Sequence, residues 1–500
     1  MSLRLALSVL LIAVAVERVR GEAAPEDGLV ATAEARAALD RACEAMRAIA
    51  TEGGFLWRYS ADLRVRRGEG PATATQVWVQ APGTPAVGEA FLEAWQVTGD
   101  PVQLEAARAA AQALVRGQLH SGGWDYRIEF DPARRCEFRY RSDPASAAAP
   151  KARNITTFDD NTTQGALLFL LRFLEAARPL SDPRDAPIQD ALDFGLRQVI
   201  VAQYSNGAWP QRWDGAPHAA ADDPVRKASI PETYPREQPS GSYYAHYTFN
   251  DGAHRDLVML MLEAARRTGR AEYRACAQRG VDFLLLAQLP EPQPGWAQQY
   301  DARMHPAWAR AFEPPAVSSA ESAGVIRLLI DAYVEFGDER YRDAIVPAVA
   351  WLRRSEIAPG RWARLYELQT NRPIYGDRDR QIHYTLAEIS EERRRGYGWE
   401  GDFNVPEAIV HFERLVASGR ETYARKRAPA PLDDARRAAR LAKLAPAVRR
   451  AIATLGKDGH WLTDDPARRV DPEVSAWIDS AVFIRNARLL CEYLSLAKQP

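Results

Sequence analysis

From Gly165 the chain runs GALLFLLRFLEAA, and from His254 it runs HRDLVMLMLEAARRTG, segments apolar nearly all the way round a helix. Helices of that kind are covered on both sides. Amphipathic helices with a single apolar stripe lie between them, and strand-like alternation is scarce, QVWVQ from Gln76 being a short example. A repeat underlies the pattern. Three long helical segments end in a Gln, a short Gly-containing turn and a Trp: Gln118 to Trp124, Gln203 to Trp209 and Gln288 to Trp296, with the Gln positions 85 apart both times. Weaker echoes end at Trp57, Trp362 and Trp461, which makes about six units. Alternating amphipathic and fully apolar helices joined by such turns predict an all-α fold, an α/α toroid or incomplete barrel of up to six helical hairpins with the apolar helices inside.

In such a ring the inner helices all point the same way, and their amino ends, with unpaired N–H groups, converge on one face. Their starts read as an acidic or amide residue followed by a small one: Glu89-Ala90, Asn161-Thr162, Asp251-Gly252, Glu321-Ser322, Glu407-Ala408 and, after Asp479, Ser480-Ala481. Glu89, Glu407 and Asp479 suit ordinary capping or dipole roles. Trp57, Trp124 and Trp461 suit packing better than sugar stacking.

Two starts carry more. TTFDDNTTQ from Thr156 and YTFNDGAHRD from Tyr247 both place Thr-Phe before oxygen-bearing residues, which brings Asp159, Asp160 and Asn161 near Asn250 and Asp251 if the ring closes as expected. Clustered carboxylates and amides without His or Cys describe a hard-cation site, for Ca²⁺ rather than Zn²⁺. The same carboxylates also suit the divided acid and base work of a glycosidase.

Composition narrows the class. The 500 residues are 46% hydrophobic and 26% charged, which excludes a disordered chain, and a formal charge of -1 gives no global attraction to nucleic acid or an anionic bilayer. Four widely spaced cysteines argue against a zinc site, a redox motif or a disulfide framework. The apolar run from Leu5 to Val16 behind Arg4 suits a secretory signal over residues 1–24, with one domain over 25–500 and a secreted or periplasmic location. The Pro-rich segment Gly215 to Gly241 reads as a loop over the site or a tolerated insertion, and RKRAPAP, Arg425 to Pro431, as a linker into the last hairpin.

Three further stretches, GWAQQYD (Gly295 to Asp301), PAWARAFEPPAVSSAESAG (Pro306 to Gly324) and the long segment from Arg361 to Trp399, complete a set with TFDDN and TFNDGA. This set resembles the family-10 pectate lyases, strongest over residues 122–399. The resemblance implies an α/α toroid that cleaves α-1,4-linked polygalacturonate by Ca²⁺-dependent β-elimination, leaving 4,5-unsaturated ends. It implies that Asp160 and Asp251 are metal ligands, that Asn161 binds metal or substrate, and that Arg310 takes the proton. Arg378, Arg393 and Arg394 become the clamp on neighbouring uronate carboxylates; the expected partner is an acidic polysaccharide, polygalacturonate, and the protein is expected to be a monomer. The chain departs from the family pattern at His383, where a lysine is expected, and in the extra acid Asp159. Tyr300, Tyr375 and Tyr397 fit either subsites or core. Two other readings stay open: a toroid glycoside hydrolase using Asp159, Asp160 and Glu321, and a non-catalytic uronate-binding protein.

Overall fold

The computed structural model describes residues 29–218, 225–428, 431–464, 471 and 473–498. The expected signal, residues 1–24, lies outside them, as does part of the Pro-rich segment. Among the described residues no helix is long and apolar enough to cross a membrane. Fifteen helices follow in order: α1 (Thr32–Ala48), α2 (Thr84–Thr98), α3 (Pro101–Gly117), the single turn α4 (Pro132–Arg135), α5 (Thr162–Ala177), α6 (Ala186–Val201), α7 (Ala253–Thr268), α8 (Ala271–Ala287), α9 (Ser319–Phe336), α10 (Glu339–Arg354), the short α11 (Glu391–Gly396), α12 (Val405–Ser418), α13 (Arg420–Arg427), α14 (Asp434–Ala453) and α15 (Ser480–Lys498).

The expected all-α toroid is what these helices build. The inner series runs α15, α2, α5, α7, α9, α12 by direct packing of each on the next, with α3, α6, α8, α10 and α13 outside and α1 and α14 backing α15. The recurrent Gln and Trp explain how the outer layer is stitched. Gln118 donates to the carbonyls of Gly122 and Ala191, Gln203 to those of Gly207 and Cys276, and Gln288 to those of Pro294 and Ala344, so each amide ties its own turn to the next outer helix. Each following Trp is fully buried and sends its indole N–H back to the outer helix it has just left: Trp124 to Leu114, Trp209 to Val199, Trp296 to Leu284. Trp362 and Trp461 do the same to Leu352 and Ala451. Trp57 does not; it donates to Gln80 across 23 residues, so that echo is not a full repeat. The turns need glycine where the backbone crowds: Gly207 has φ +95°, and a Cβ there would meet the Arg279 carbonyl at 2.1 Å.

Short strands line the end where the inner helices begin. The strand before α5, Thr156–Thr157, pairs with Arg212–Trp213; that before α7, Tyr247–Thr248, with Gln299–Tyr300; that before α9, Val317–Ser318, with Leu365–Tyr366. Each strand thus leans on the unit that follows it. The QVWVQ expectation holds for Gln76–Trp78, which pairs with Arg127–Glu129.

Several starts shift. Glu89 is inside α2, which begins at Thr84, and it is buried against Arg172 at 3.2 Å rather than capping. Glu321 and Glu407 are third residues of their helices, and Glu407 faces Arg327 and His411 instead of a cap. Asp479 does cap, accepting from Ala481 N–H at 2.8 Å. Arg425 to Arg427 belong to the end of α13, so the linker starts later than its charge run suggests.

Candidate active site

The mouths of α5 and α7 share one local design. Buried Phe158 and Phe249 anchor each turn, and two consecutive residues then take left-handed backbone: Asp160 (φ 51°) with Asn161 (φ 55°), and Asp251 (φ 52°) with Gly252 (φ 73°). Asp, Asn and Gly are the residues that enter this region at least cost. Neither helix has a capping side chain, whereas α9 is capped by Ser318. Asp160 and Asp251 are therefore spent on neither helix end.

One oxygen from each of Asp159, Asp160 and Asp251 lies within 4.8 Å of the others. Asp159 Oδ2 accepts from the Tyr126 hydroxyl at 3.0 Å, while its Oδ1 is buried without a partner. Asp160 Oδ2 accepts from Gln80 at 2.9 Å, and Asp251 Oδ2 from Asn250 at 2.9 Å. Burial, then the charges of Asp159 and Asp251, push the Asp160 carboxyl up to about 7. Asp251 is raised too, by burial first, with Arg310 opposing. Three crowded carboxylates, one with an unused buried oxygen, fit a hard divalent cation. Asp159, which the paired motifs place in this cluster and which the family pattern does not require, is one of the three.

Arg310 closes the site from the loop ahead of α9. Its Nη2 is 3.5 Å from Asp251 Oδ2 and 2.6 Å from Glu313 Oε1, and its Nε donates to Glu313 Oε2 at 2.8 Å. Burial alone would lower its pKa, but the Glu313 hydrogen bond and charge, aided by Tyr397 and Asp251, raise it above the ordinary arginine range. Glu313 is 1% exposed at its side chain and is itself held by the Tyr397 hydroxyl at 3.0 Å. Gln298, from GWAQQYD, donates to both Tyr397 (3.3 Å) and Asn250 (3.1 Å). Asp251, Asn250, Gln298, Tyr397, Glu313 and Arg310 thus form a closed circuit of polar contacts. Arg364 lies against Tyr397 and Phe403 with its Cζ 4.8 and 4.9 Å from the ring centres, and shares a cavity of about 290 Å³ with Asp251, Arg255 and Glu321. Burial, then the Asp251 charge, pushes the Glu321 carboxyl up to about 8.

The arginines of the third segment divide. Arg393 is buried, bonds Glu392 at 2.7 Å and lies 4.5 Å from the centre of the Phe312 ring, against which Arg310 also lies at 5.3 Å. Arg378 is exposed and joins the same Glu392 at 3.1 Å. Arg394 is exposed, and its guanidinium bonds no side chain among the described residues. Asn161 is exposed and lines a separate hollow between α5 and α7 with Gln164, Arg172 and Asp256. His383 binds Asp379 at 2.9 Å. Tyr300 is fully buried and Tyr375 bonds Glu400, so both are scaffold; Tyr397 alone of the three joins the site. Glu313, Gln298 and Arg364 escape the sequence reading, although all three stand inside the stretches that carry the resemblance.

The later, described part of the Pro-rich segment forms a strap. Pro235 accepts from Trp308, and Arg236 binds Glu367 at 2.6 Å, so its described part is fastened over the loop that carries Arg310.

The family model of the pectic acid lyases matches residues 118–361 and 355–409. Among solved structures, a family 10 polysaccharide lyase from Cellvibrio cellulosa is 21% identical, over 66% of this chain and 97% of its own, with a TM-score of 0.45. A mutant of that lyase in complex with trigalacturonic acid is 22% identical over 66% and 98%, also at 0.45. Cellobiose 2-epimerase from Bacillus thermoamylovorans is 12% identical over 93% of this chain and 98% of its own, at 0.42. No curated protein matches the chain by sequence.

Proposed function

The chain belongs to the pectic acid lyase family and is a polysaccharide lyase, and from that premise we propose that it cleaves α-1,4-linked polygalacturonate by Ca²⁺-dependent β-elimination. The observation that carries this reading is the juxtaposition of the Asp159, Asp160 and Asp251 oxygens with the Arg310 guanidinium, 3.5 Å from Asp251. The trigalacturonic acid named with the Cellvibrio lyase mutant agrees with an acidic polysaccharide as substrate.

In β-elimination the C5 proton leaves to a base, its electron pair forms the C4–C5 double bond, and the C4–O bond breaks with the glycosyl oxygen taking up a proton. C5–H is a weak acid beside a carboxylate, so the carboxylate charge must be met as the carbanion develops. Asp160 and Asp251 with Asp159 would hold a Ca²⁺ ion, which would supply that neutralising charge when bound. Asn161 and the Arg378, Arg393 and Arg394 cluster serve substrate units to either side. Arg310 is the base in this reading. Its pairing with Glu313 works against giving up a proton, which favours a second role for the same residue: a guanidinium that stays charged and meets the developing negative charge. The apolar run Leu5–Val16 supports an enzyme exported to where the polymer occurs.

The test is incubation of the purified protein with polygalacturonate and Ca²⁺, with and without chelator. The expected result is a chelator-sensitive rise in ultraviolet absorbance from the new double bond. New reducing ends without that absorbance would reject elimination.

A further inference from the structure

Arg212 stands out in the strand pairing that repeats round the ring. Its register partner is Thr157, and the positions matched to it in the next two units, opposite Thr248 and Ser318, are Gln299 and Leu365, which are 2% and 0% exposed. Arg212 is only partly buried and lines a cavity of about 660 Å³ together with Trp213, Asp214, His218, Ser242 and Tyr244. That volume is the size of a small-ligand site, and its lining is aromatic with a few polar groups.

Among the described residues the guanidinium is held by rings alone. Its Cζ lies 4.0 Å from the Tyr244 ring centre and 5.9 Å from that of Tyr126. Its Nε is buried without a hydrogen-bond partner, and no carboxylate among the described residues pairs with it. The carboxylate in the same cavity, Asp214, is taken up by the N–H of Ala216 at 2.9 Å. Most arginines around the cleft are neutralised by an acid, as Arg310 is by Glu313 and Arg378 by Glu392. A stacked guanidinium with unused donors is a ready receptor for a carboxylate, because its planar fork is already oriented.

Side-chain contacts connect Arg212 to the reaction site. Tyr126, which flanks Arg212, donates its hydroxyl to Asp159. Tyr243 stacks beside Tyr244 with ring centres 4.6 Å apart, and burial, Tyr244 and then the charge of Glu313 hold the Tyr243 phenol above its ordinary range. Arg212 and the Arg310–Glu313 pair therefore lie at two ends of one tyrosine-lined path.

We propose that Arg212, braced by Tyr244 and Tyr126, forms a further uronate subsite beyond the acid triad, on the side away from Arg393, and that it selects for a free rather than methyl-esterified carboxylate on the unit it binds. The inference rests on the lyase reading above and adds to it a subsite and its ester discrimination.

Kinetics of Arg212→Ala and Arg212→Lys on polygalacturonate test it, with melting temperatures measured to confirm folding. Arg212→Ala should raise KM about tenfold, the scale of one charge-assisted hydrogen bond, with kcat within about twofold. Arg212→Lys should recover only part of the loss, since an ammonium neither stacks nor forks. On pectins of rising methyl-ester content, wild type and Arg212→Ala should converge in kcat/KM. A KM unchanged by Arg212→Ala, a kcat that falls while KM holds, or a loss independent of ester content would each overturn the proposal. If the wild type makes no unsaturated product, the lyase reading fails, and calorimetric titration with trigalacturonate still decides the subsite: wild type must bind about tenfold more tightly than Arg212→Ala.

Discussion

Where an outer helix gives way to the next strand and inner helix, Gln203 divides its amide between two carbonyls and Trp209 returns its N–H to Val199. A short way along the chain, at the mouths of α5 and α7, Asp159 Oδ1, Thr162 Oγ1 and the Gln164 and Gln211 side-chain oxygens are buried without partners, and three carboxylates crowd within 4.8 Å. The first arrangement recurs in unit after unit because it holds the ring. The second occurs once, where two left-handed turns meet, and it withholds stability that ordinary caps would contribute. The repeated turns are held by shared hydrogen bonds, whereas four unpartnered oxygens gather around the mouths of α5 and α7.

Substitutions on the two sides should break in different currencies. Arg310→Ala should lower turnover by two orders of magnitude or more, in the range of a lost general base or a lost charge stabiliser. Arg310→Lys separates these: a largely restored rate means that charge suffices, and a rate as low as that of the alanine variant means that the guanidinium itself is needed. Trp209→Ala should leave the rate per folded molecule near wild type but cost about 3–5 kcal/mol in denaturant unfolding. Gln203→Ala should cost about 1–2 kcal/mol by the same measurement, because two carbonyls and the Arg279 Nε–H lose their partner.

The two regions should also answer pH in opposite directions. His254, the second residue of α7, is buried with its Nε2 donating to Gly280 at 2.7 Å, and burial lowers its pKa from 6.5 to about 4. The unfolded chain binds that proton more readily, so the contribution is present above pH 6.5 and is lost as pH falls towards 4, a change of about 3 kcal/mol. Asp160 behaves the other way. Its folded value of about 7 lies above the ordinary 3.8, so in chelator the folded state holds the extra proton and stability declines as pH rises from about 4 to about 7. Melting temperatures across that range for wild type, Asp160→Asn and His254→Gln separate the two: Asp160→Asn should remove the decline, and His254→Gln should remove the acid loss. A wild-type profile unchanged by Asp160→Asn would mean that the carboxylate is not under strain.

The frame was legible because its signals are local. Hydrophobic periodicity, the Gln–Trp spacing and the paired Thr-Phe motifs all lie within a few residues of the elements they specify. The working face was legible only in part. Asp159, Asp160 and Asp251 could be placed at the mouths, but the left-handed backbone at Asp160, Asn161 and Asp251 is one that residue type permits without requiring. Glu89 resembled a cap and proved to be a buried partner of Arg172, since an acid followed by alanine looks alike at a helix start and within one. Glu313, Tyr397 and Arg212 derive their roles from segments that meet across units, and no short-range pattern reports such a meeting.

The circuit from Asp251 through Gln298 and Tyr397 to Glu313 and Arg310 has a consequence for the life of the chain. Its members leave the ribosome far apart, with Tyr397 following Asn250 by 147 residues (397 − 250). A nascent polypeptide that has not reached Tyr397 already owns the acids but lacks the hydroxyl that steadies Glu313, so the circuit can close only after the segments of two separate units have both been made.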